Sequence, residues 1–318
     1  MAIDIFNKPL LVVVGPTAIG KTDLSLRIAR RYNCEIVSVD SMQVYRYMDI
    51  GTAKASLEER SEIPHHLIDI IDPDQDYDAA RFAEDALHAI GEIHGRGRLP
   101  LLTGGTGLYL RALLQGIFPG VPVDEIIRAK LRHRLHIVGC SKLHEELSAI
   151  DCISAERIHE NDTHRLLRAL EVYYASGVPW SEHLKEHRIL TPGALFANTL
   201  EIGLTCDRRD LYERINRRCE TMLDDGLEGE VRKLLEMGYH RELKSFGSIG
   251  YRHMLGYIHE EYSRQEMAEL LARDTRRYAK RQYTWFRTMP GLHWYEVQAK
   301  EEIVEAVGDW LIKQNRRK

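Results

Sequence analysis

One stretch near the start of the chain limits what this protein can be. Five apolar residues, Leu10–Val14, precede the letters GPTAIGKT, and apolar residues at helical spacing follow. The apolar run is short and rich in β-branched residues, which is typical of a buried parallel strand. The letters match the phosphate-loop pattern G-x-x-x-x-G-K-[ST] at every position. We therefore predict a strand, a phosphate-binding loop and a helix in succession.

The residue types in this loop suit a diphosphate or a triphosphate. Its glycines let the backbone curl until several N–H groups point at one centre, beside the positive start of a helix. Lys21 would bring a full charge to the outer phosphate, and the Thr22 hydroxyl could ligate a Mg²⁺ ion shared with the phosphates. The whole loop is predicted to contact phosphate: Gly15, Pro16, Thr17, Ala18, Ile19, Gly20, Lys21 and Thr22. The pattern leaves open whether the phosphate is transferred, hydrolysed or expelled.

Composition places the chain among ordinary globular proteins. It has 318 residues, of which 44% are hydrophobic and 29% charged, so it can bury one large core or a core with a smaller insert. No apolar run approaches the roughly 20 residues that span a bilayer, and the first residues lack the pattern of a secretory signal. We expect a cytoplasmic protein with no membrane partner.

Cysteines and histidines give little sign of a metal site. The five cysteines are scattered and form no C-x-x-C pair, which argues against a zinc knuckle and fits a reducing compartment. The pair His65-His66 has no third ligand at a useful spacing. We predict a structural or substrate-positioning role for the pair.

Two further turns are expected to share a crevice with the loop. Cys34–Val39 reads as a second strand that ends at Asp40, and residues 99–103 read as another that runs into a Gly-Gly-Thr-Gly turn. Carboxyl ends of strands line the ligand crevice of an open α/β sheet, so Asp40 should face Lys21. Asp40 could hold Mg²⁺ or accept a proton, or it could simply cap a turn. The glycines could let a planar ligand approach Thr106, or could only tighten the turn.

A helical segment interrupts the α/β pattern. After Gly120 the sequence is almost entirely helical in character to about residue 176, and strand character resumes at Thr199–Thr205. We predict a parallel-sheet α/β core, residues 1–120 and 199–318, with an all-helical insertion at residues 121–198. One helix of the insertion carries Arg165 and Arg168 on one face.

Basic residues are unevenly distributed, although the formal net charge is -4. A helix near the C-terminus places on one side Arg273, Arg276, Arg277, Lys280, Arg281 and Arg287. The opposite side carries Leu271, Tyr278, Gln282, Trp285 and Phe286. Only Asp274 offsets the positive charge, whereas a merely solvated face usually mixes signs. The pattern predicts a surface that binds a polyanion.

A second pair of arginines lies earlier in the chain. Arg214 and Arg217 share one face of a predicted helix at i, i+3, which suits a clamp on an anion. On spacing alone, an ordinary solvated basic face is the favoured explanation. The phosphate loop, Asp40 and the basic surfaces together favour an enzyme that brings a diphosphate compound to a nucleic acid.

The sequence resembles the bacterial tRNA dimethylallyltransferase family. The shared segments occur in the family's order and cover nearly the whole chain: GPTAIGKT, DSMQVYRYMDIGTAK, PHHLIDIIDP, residues 77–82, GGTGLYLRALL, residues 161–172, SIGYR and TRRYAKRQYTWFR. The resemblance implies a core like that of P-loop kinases. It also implies transfer of a dimethylallyl group from dimethylallyl diphosphate to N6 of adenosine 37, in tRNAs that read codons beginning with U, with release of diphosphate.

The resemblance further implies roles for particular residues. Lys21, Arg217 and Thr22 with Mg²⁺ would stabilise the departing diphosphate. Asp40 would accept the N6 proton, and Thr106 would hold the adenine flipped out of the anticodon loop. The helical insertion would contact the anticodon stem. With the basic helix included, the expected tRNA contacts are Asp40, Ser41, Met42, Gln43, Thr106, Arg128, His164, Arg165, Arg168, Gly247, Gly250, Tyr251, Arg252, Arg276, Arg277, Lys280 and Arg281. Many relatives carry a basic residue where this chain has Gly247, so that contact stays open.

Other functions remain open from the sequence. An ATP-dependent kinase of a small metabolite would use Asp40 on Mg²⁺. Prenylation of free AMP or ATP would need neither the large insertion nor the basic helix, and a non-catalytic tRNA-binding protein would need no lysine and carboxylate in one crevice. We expect a monomeric enzyme.

Overall fold

A computed structural model describes residues 5–116, 124–190 and 195–315. The chain forms two compact units: one combines Met1–Leu114 with Phe196–Lys318, and the other is Gln115–Leu195. The predicted junction after Gly120 lies outside the described residues. Within the described ranges, no helix is both long and apolar enough to cross a membrane.

The first unit is built on a sheet of six parallel strands. Their bounds are Leu10–Val14 (β1), Cys34–Val39 (β2), His65–His66 (β3), Leu99–Gly104 (β4), Thr199–Thr205 (β5) and Leu292–Glu296 (β6). From edge to edge the strand order is β3-β2-β4-β1-β5-β6. Leu11 lies opposite Leu101 on one side and Leu200 on the other, which fixes the register of the central strands. The predicted α/β fold with a parallel sheet is confirmed.

Helices connect the strands, and they form all the regular structure in the part of the second unit that the structure describes. Their bounds are Lys21–Tyr32 (α1), Leu57–Glu62 (α2), Ala79–Gly95 (α3), Gly107–Gln115 (α4), Glu125–Ile150 (α5), Cys152–Arg157 (α6), Thr163–Ser176 (α7), Trp180–Leu190 (α8), Arg208–Asp224 (α9), Leu227–Glu236 (α10), Tyr251–Ile258 (α11), Arg264–Phe286 (α12) and Lys300–Asn315 (α13). Short 3₁₀ helices occur at Ile5–Asn7 and Lys244–Gly247.

The core of the first unit follows from the apolar spacing of these elements. All five residues of β1 are buried because parallel strands lie on both sides of it and helices cover it. Helix α1 buries Leu24 and Ile28, one turn apart, in the same cluster as Ile215 of α9 and Leu271 of α12. Helix α12 therefore packs one face into the core and leaves the other face to solvent.

The second unit has its own small core. Leu143 and Leu147 of α5 pack with Leu166 and Leu170 of α7, and all four side chains are fully buried. Helix α5 contains one non-helical residue, Gly139, with φ +78°, where the direction of the helix changes. A glycine suits that position because side chains rarely adopt a positive φ.

Candidate active site

The phosphate loop is residues 15–22, between the end of β1 and the first turn of α1. Gly20 precedes α1 with φ +104°, a left-handed conformation that favours glycine. No side chain caps this helix start. The first N–H groups of α1 therefore keep their capacity to bind an anion, as the sequence pattern predicts.

Lys21 lies over the loop and has a strongly perturbed pKa. Its Nζ donates to the carbonyl oxygens of Gly15 at 3.0 Å and Pro16 at 2.8 Å. Desolvation and the positive charge of Arg218 lower the pKa of Lys21 to about 7, and the negative charge of Asp40 opposes that shift. A bound phosphate anion would raise the pKa again, because it favours the charged amine.

Asp40 combines a turn role with an available oxygen. Its Oδ1 accepts hydrogen bonds from the backbone N–H groups of Met42 at 2.8 Å and Gln43 at 3.4 Å. Oδ2 has no hydrogen bond to the described parts of the chain. The charge of Asp40 opposes the lowering of the pKa of both Lys21 and Arg218. The turn role therefore uses Oδ1, and Oδ2 is left for either of the other two predicted roles, Mg²⁺ ligand or proton acceptor.

The glycine-rich turn after β4 is tightly packed. The N–H groups of Gly105 and Thr106 both donate to Val39 O at 3.1 Å. Added methyl groups would overlap Val39 at Gly104 and the Gln282 amide at Gly105. The tight-turn interpretation thus accounts for the glycines. Thr106 has a further role, because its Oγ1 accepts from the Ser41 N–H at 3.0 Å and joins this turn to the Asp40 turn.

On α9, Arg218 is the arginine whose charge acts on Lys21, whereas the resemblance implies the catalytic role for Arg217. Arg217 is exposed, whereas Arg218 is partly buried, and its charge acts on Lys21. Burial lowers the pKa of Arg218, and Asp40 opposes the shift. Arg214 also reaches the loop, with Nη1 4.0 Å from the place where a Cβ on Gly20 would lie. Arg214 and Arg218, at i, i+4 spacing, are thus the arginines of α9 that approach the loop, and the role predicted for Arg217 stays a prediction.

The phosphate crevice is the name used below for residues 15–22 with Asp40 and Arg218. The sequence pattern predicts the loop and Asp40 for this crevice, but it does not predict Arg218. The only signal for it was that i, i+4 spacing places Arg218 nearly above Arg214 on a helix.

Several residues expected to contact tRNA are instead built into the fold. Tyr251 is fully buried, and its hydroxyl donates to Glu230 at 2.5 Å. Gly250, which precedes it, is also buried. The Gln43 amide is used inside the protein, because Oε1 accepts from the Ser38 hydroxyl at 2.9 Å. Tyr251, Gly250 and Gln43 thus belong to the internal packing and hydrogen bonding of the fold, and they are poorer candidates for direct tRNA contacts.

Other expected contacts remain accessible in the same segments. Ser41 and Met42 are partly exposed, and Gly247 and Arg252 are exposed. Because Gly247 has open space around its Cα, a side chain could be accommodated there.

The solvent-facing side of α12 gathers positive charge around one carboxylate. Asp274 accepts hydrogen bonds from Arg252 at 2.8 Å, from Arg273 at 3.1 Å and from Arg277 at 3.5 Å. Desolvation acts to raise the pKa of Asp274, but hydrogen bonds from Arg252, Arg273 and His253 outweigh it and lower the pKa to about 2. The basic face is the name used below for Arg252, Arg273, Arg277, Lys280 and Arg281, all of them exposed.

Arg276 departs from the predicted stripe. It is only partly exposed, and its Nη1 donates to Asn216 Oδ1 on α9 at 2.6 Å. The guanidinium also lies 5.9 Å from the ring centroid of Tyr212. Arg276 therefore helps to hold α12 against α9 and is a poorer candidate for an RNA contact than its neighbours.

Within the helical unit, the predicted contacts divide into two kinds. Arg128 and Arg168 each lie 3.2 Å from the carboxylate of Glu171, whose side chain is 4% exposed. His164 and Arg165 are exposed at the start of α7. The first pair is thus partly neutralised by a buried acid, and the second pair is the more available for a phosphate.

The described residues contain no cluster of three or more histidine, cysteine, aspartate or glutamate side chains that could hold a metal ion. His66 Nε2 lies 2.6 Å from Glu35 Oε2, and His65 Nδ1 lies 2.7 Å from Ile63 O. Thr22 is exposed beside the phosphate loop. A Mg²⁺ ion there would be held by one hydroxyl, substrate phosphates and water, which is a common coordination for this ion.

Fold and crevice together define an α/β phosphate-loop enzyme with a helical unit inserted between β4 and β5. The family model described as IPP transferase matches residues 43–289, and the model described as Isopentenyl transferase matches residues 8–69. The chain belongs to the IPP transferase family, the family of the tRNA dimethylallyltransferases.

Relatives of known sequence and structure agree with this assignment. A protein named tRNA dimethylallyltransferase from Desulfotalea psychrophila is 57% identical, and the match covers 96% of each chain. A protein of the same name from Geobacter sulfurreducens is 44% identical, over 94% of this chain and 95% of its own.

Two solved structures are also similar. A tRNA isopentenylpyrophosphate transferase from Bacillus halodurans is 40% identical, with a TM-score of 0.71, covering 98% of this chain and 99% of its own. A eukaryotic dimethylallyltransferase described as acting on tRNA is 29% identical, with a TM-score of 0.76, covering 92% of this chain and 74% of its own.

Proposed function

We propose that this protein transfers a dimethylallyl group from dimethylallyl diphosphate to N6 of adenosine 37 in tRNAs that read codons beginning with U, releasing diphosphate. The observation that carries the proposal is the phosphate crevice itself. Two cationic side chains and a helix start surround the loop, and a carboxylate with one available oxygen lies beside them. Membership of the family supports the choice of substrates.

The leaving group is the negatively charged partner in this reaction. As the bond between the allylic carbon and the bridging oxygen breaks, its electron pair goes to the diphosphate. Backbone N–H groups of the loop, Lys21 and Arg218 are in place to stabilise that charge. Donors arranged in advance at the site where charge develops are usually the largest contribution to such catalysis.

Asp40 is the proton acceptor in this scheme. The N6 lone pair forms the new bond to the allylic carbon, and the amine then loses a proton to Oδ2. Oδ1 stays bound to the Met42 and Gln43 N–H groups, so the carboxylate is held in one orientation while its other oxygen reacts. A positioned base of this kind typically contributes about 10²–10⁴ in rate.

Thr22 would hold Mg²⁺ together with the diphosphate oxygens. When bound, the ion supplies additional positive charge to the leaving group. Lys21 and Arg218 neutralise the same group from the protein side, so the crevice and the ion act on one anion.

The tRNA would lie across the basic face, with its flipped adenine directed toward Thr106 and the Asp40 turn. Arginines and lysines on this face suit contacts with backbone phosphates. His164 and Arg165 of the helical unit would add contacts to the anticodon stem. We further propose that the enzyme works as a monomer in the cytoplasm, where its substrate tRNA is found.

Mass spectrometry of the tRNA tests the proposal. Unmodified tRNA is incubated with the enzyme and either dimethylallyl diphosphate or ATP, and fragments that contain position 37 are then weighed. The expected result is the gain of one dimethylallyl group at that nucleotide with the diphosphate donor and no change with ATP. An unchanged tRNA in both arms, or a phosphoryl group on a small acceptor with ATP, would overturn the proposal.

A further inference from the structure

A buried glutamine on α12 connects two turns of the active site. Gln282 is 5% exposed, and both ends of its amide are used. Oε1 accepts a hydrogen bond from the N–H of Thr17, in the phosphate loop, at 2.8 Å. Nε2 donates to the carbonyl oxygen of Gly105, in the turn after β4, at 3.0 Å.

The chemistry of this bridge calls for a side-chain amide. A backbone N–H can only donate and a carbonyl can only accept, so the side chain between them must offer one acceptor and one donor. Leaving either partner unpaired in a buried site is unfavourable. The bridge also depends on Gly105, because a methyl group there would overlap Nε2 of Gln282.

Hydrogen bonds continue the connection from Gly105 to the Asp40 turn. Thr106 follows Gly105, and its hydroxyl accepts from the N–H of Ser41, the residue after Asp40. The phenol of Tyr278, one helical turn before Gln282, interacts with both Thr106 and Gln282. One buried face of α12 thus contacts the loop that holds phosphate and the turns that present Thr106 and Asp40.

From this geometry we infer that Gln282 is a positioning residue, which sets the separation between the diphosphate held by the loop and the base held beside Asp40. The inference rests on the proposed function. Two reactants held at the right distance and angle react far faster than free ones, and an error of about 1 Å can lower the rate about 100-fold. Both polar atoms of the Gln282 amide are bonded to the two turns, so its effect acts through their spacing.

Two variants of the full-length enzyme test the inference. Gln282→Leu removes both hydrogen bonds and keeps a side chain of similar size. Thr275→Val is the matched control, because Thr275 is also buried on α12 and its hydroxyl donates to Leu271 O in the same helix. For Gln282→Leu we expect kcat to fall about 10- to 100-fold, while KM for dimethylallyl diphosphate and Kd for tRNA stay within about threefold. Thr275→Val should keep wild-type kcat.

A third variant provides a measurement that would not change if Gln282 had only a structural role. The carboxylate of Gln282→Glu cannot donate to Gly105 O, but a protonated carboxyl group can, and burial favours that neutral form. The ratio of kcat in Gln282→Glu to kcat in the wild type should therefore rise as the pH falls from about 8.5 to about 6.

The outcomes are distinguishable. Wild-type kcat in Gln282→Leu, or a kcat loss matched by Thr275→Val at equal melting temperature, would overturn the inference and leave the proposed function intact. A pH-independent ratio for Gln282→Glu would overturn it as well, even where Gln282→Leu is too unstable to assay. No dimethylallylated tRNA from the wild type would show that the proposed function itself is wrong.

Discussion

The phosphate crevice and the basic face both gather positive charge, but they balance it differently. In the crevice, Lys21 and Arg218 are both desolvated, and Asp40 is the carboxylate whose charge opposes the lowered pKa of each. On the basic face, Asp274 accepts hydrogen bonds from three arginines that remain exposed to solvent. Asp274 thus forms direct ion pairs with its arginines, whereas no ion pair of 4.0 Å or less joins Asp40 to Lys21 or Arg218, all three of them described residues.

The difference reflects two tasks. Burial destabilises a charged amine, and a bound anion relieves that cost, so the crevice favours a ligand that brings its own negative charge. An exposed arginine forms a weaker contact, and many such contacts together give a salt-dependent affinity. The rate of catalysis should therefore depend steeply on single residues of the crevice. The affinity for tRNA should depend on the summed charge of the basic face.

Asp40→Asn should have the largest effect. The amide oxygen can still accept from Met42 and Gln43, so the turn survives, but the side chain can no longer take a proton. We expect kcat to fall about 10²–10⁴-fold with tRNA affinity nearly unchanged. Single-turnover kinetics and filter binding measure the two quantities. Turnover at the wild-type rate would remove the proton-acceptor role from Asp40.

The second-largest effect is expected from substituting Arg218 on α9, and its neighbour Arg217 provides the comparison. Arg218→Gln should lower kcat about 10²–10³-fold, since a preorganised charge at the leaving group is lost. Arg217→Gln, its matched control, should stay within about threefold, because Arg217 is exposed. Steady-state assays with melting temperatures for both variants decide the matter. The reverse ranking would restore Arg217 as the catalytic arginine.

A smaller effect is expected from the basic face. Replacing Arg277, Lys280 and Arg281 with glutamine should reduce the slope of log K against log salt for tRNA binding by about 2. A control triple at Arg27, Arg30 and Arg31 removes equal charge toward the far end of α1, away from the carboxyl edge of the sheet. Equal slope changes in both triples would mean that net charge, and not this face, controls binding.

The smallest effect concerns the protonation of Lys21. Its pKa lies about 7, lowered by burial and Arg218, so the fraction of charged amine falls as the pH rises through that value. Affinity for inorganic diphosphate should drop about tenfold between about pH 6 and about pH 8, beyond the change seen for Lys21→Met. Calorimetry in two buffers should also show uptake of up to about one proton at the higher pH. Identical pH profiles for the two proteins would contradict the lowered pKa.

The sequence predicts local features of the site better than contacts made across the fold. The phosphate loop is recognisable because each of its positions has a fixed backbone or chemical requirement, and Asp40 follows from the rule that strand ends share one edge. Helical spacing alone does not distinguish Arg217 from Arg218, because a helix offers both i, i+3 and i, i+4 neighbours and packing decides which side faces the loop; the role of Arg217 is implied by the resemblance alone. Packing also decides the burial of Tyr251 and the bridge made by Gln282.

Secondary structure also divides into segments predicted from local sequence and segments that depend on contacts across the fold. Leu10–Val14 is predicted by its apolar run, because a central parallel strand is buried on both faces. Leu292–Glu296 is missed, since it is an edge strand with mostly exposed side chains and lacks such a run. His65–His66 is too short to give any pattern. Long-range pairing, and not local preference, makes these two segments strands.

A structure of the enzyme with an unreactive donor tests the central claim most directly. Dimethylallyl thiodiphosphate, which has sulfur in place of the bridging oxygen, can be soaked into crystals with Mg²⁺. The account predicts that the diphosphate lies on the N–H groups at the start of α1 with Lys21 and Arg218 against it, and that the allylic carbon points toward Asp40. A diphosphate bound away from Lys21, or an allylic chain directed away from Asp40, would contradict it.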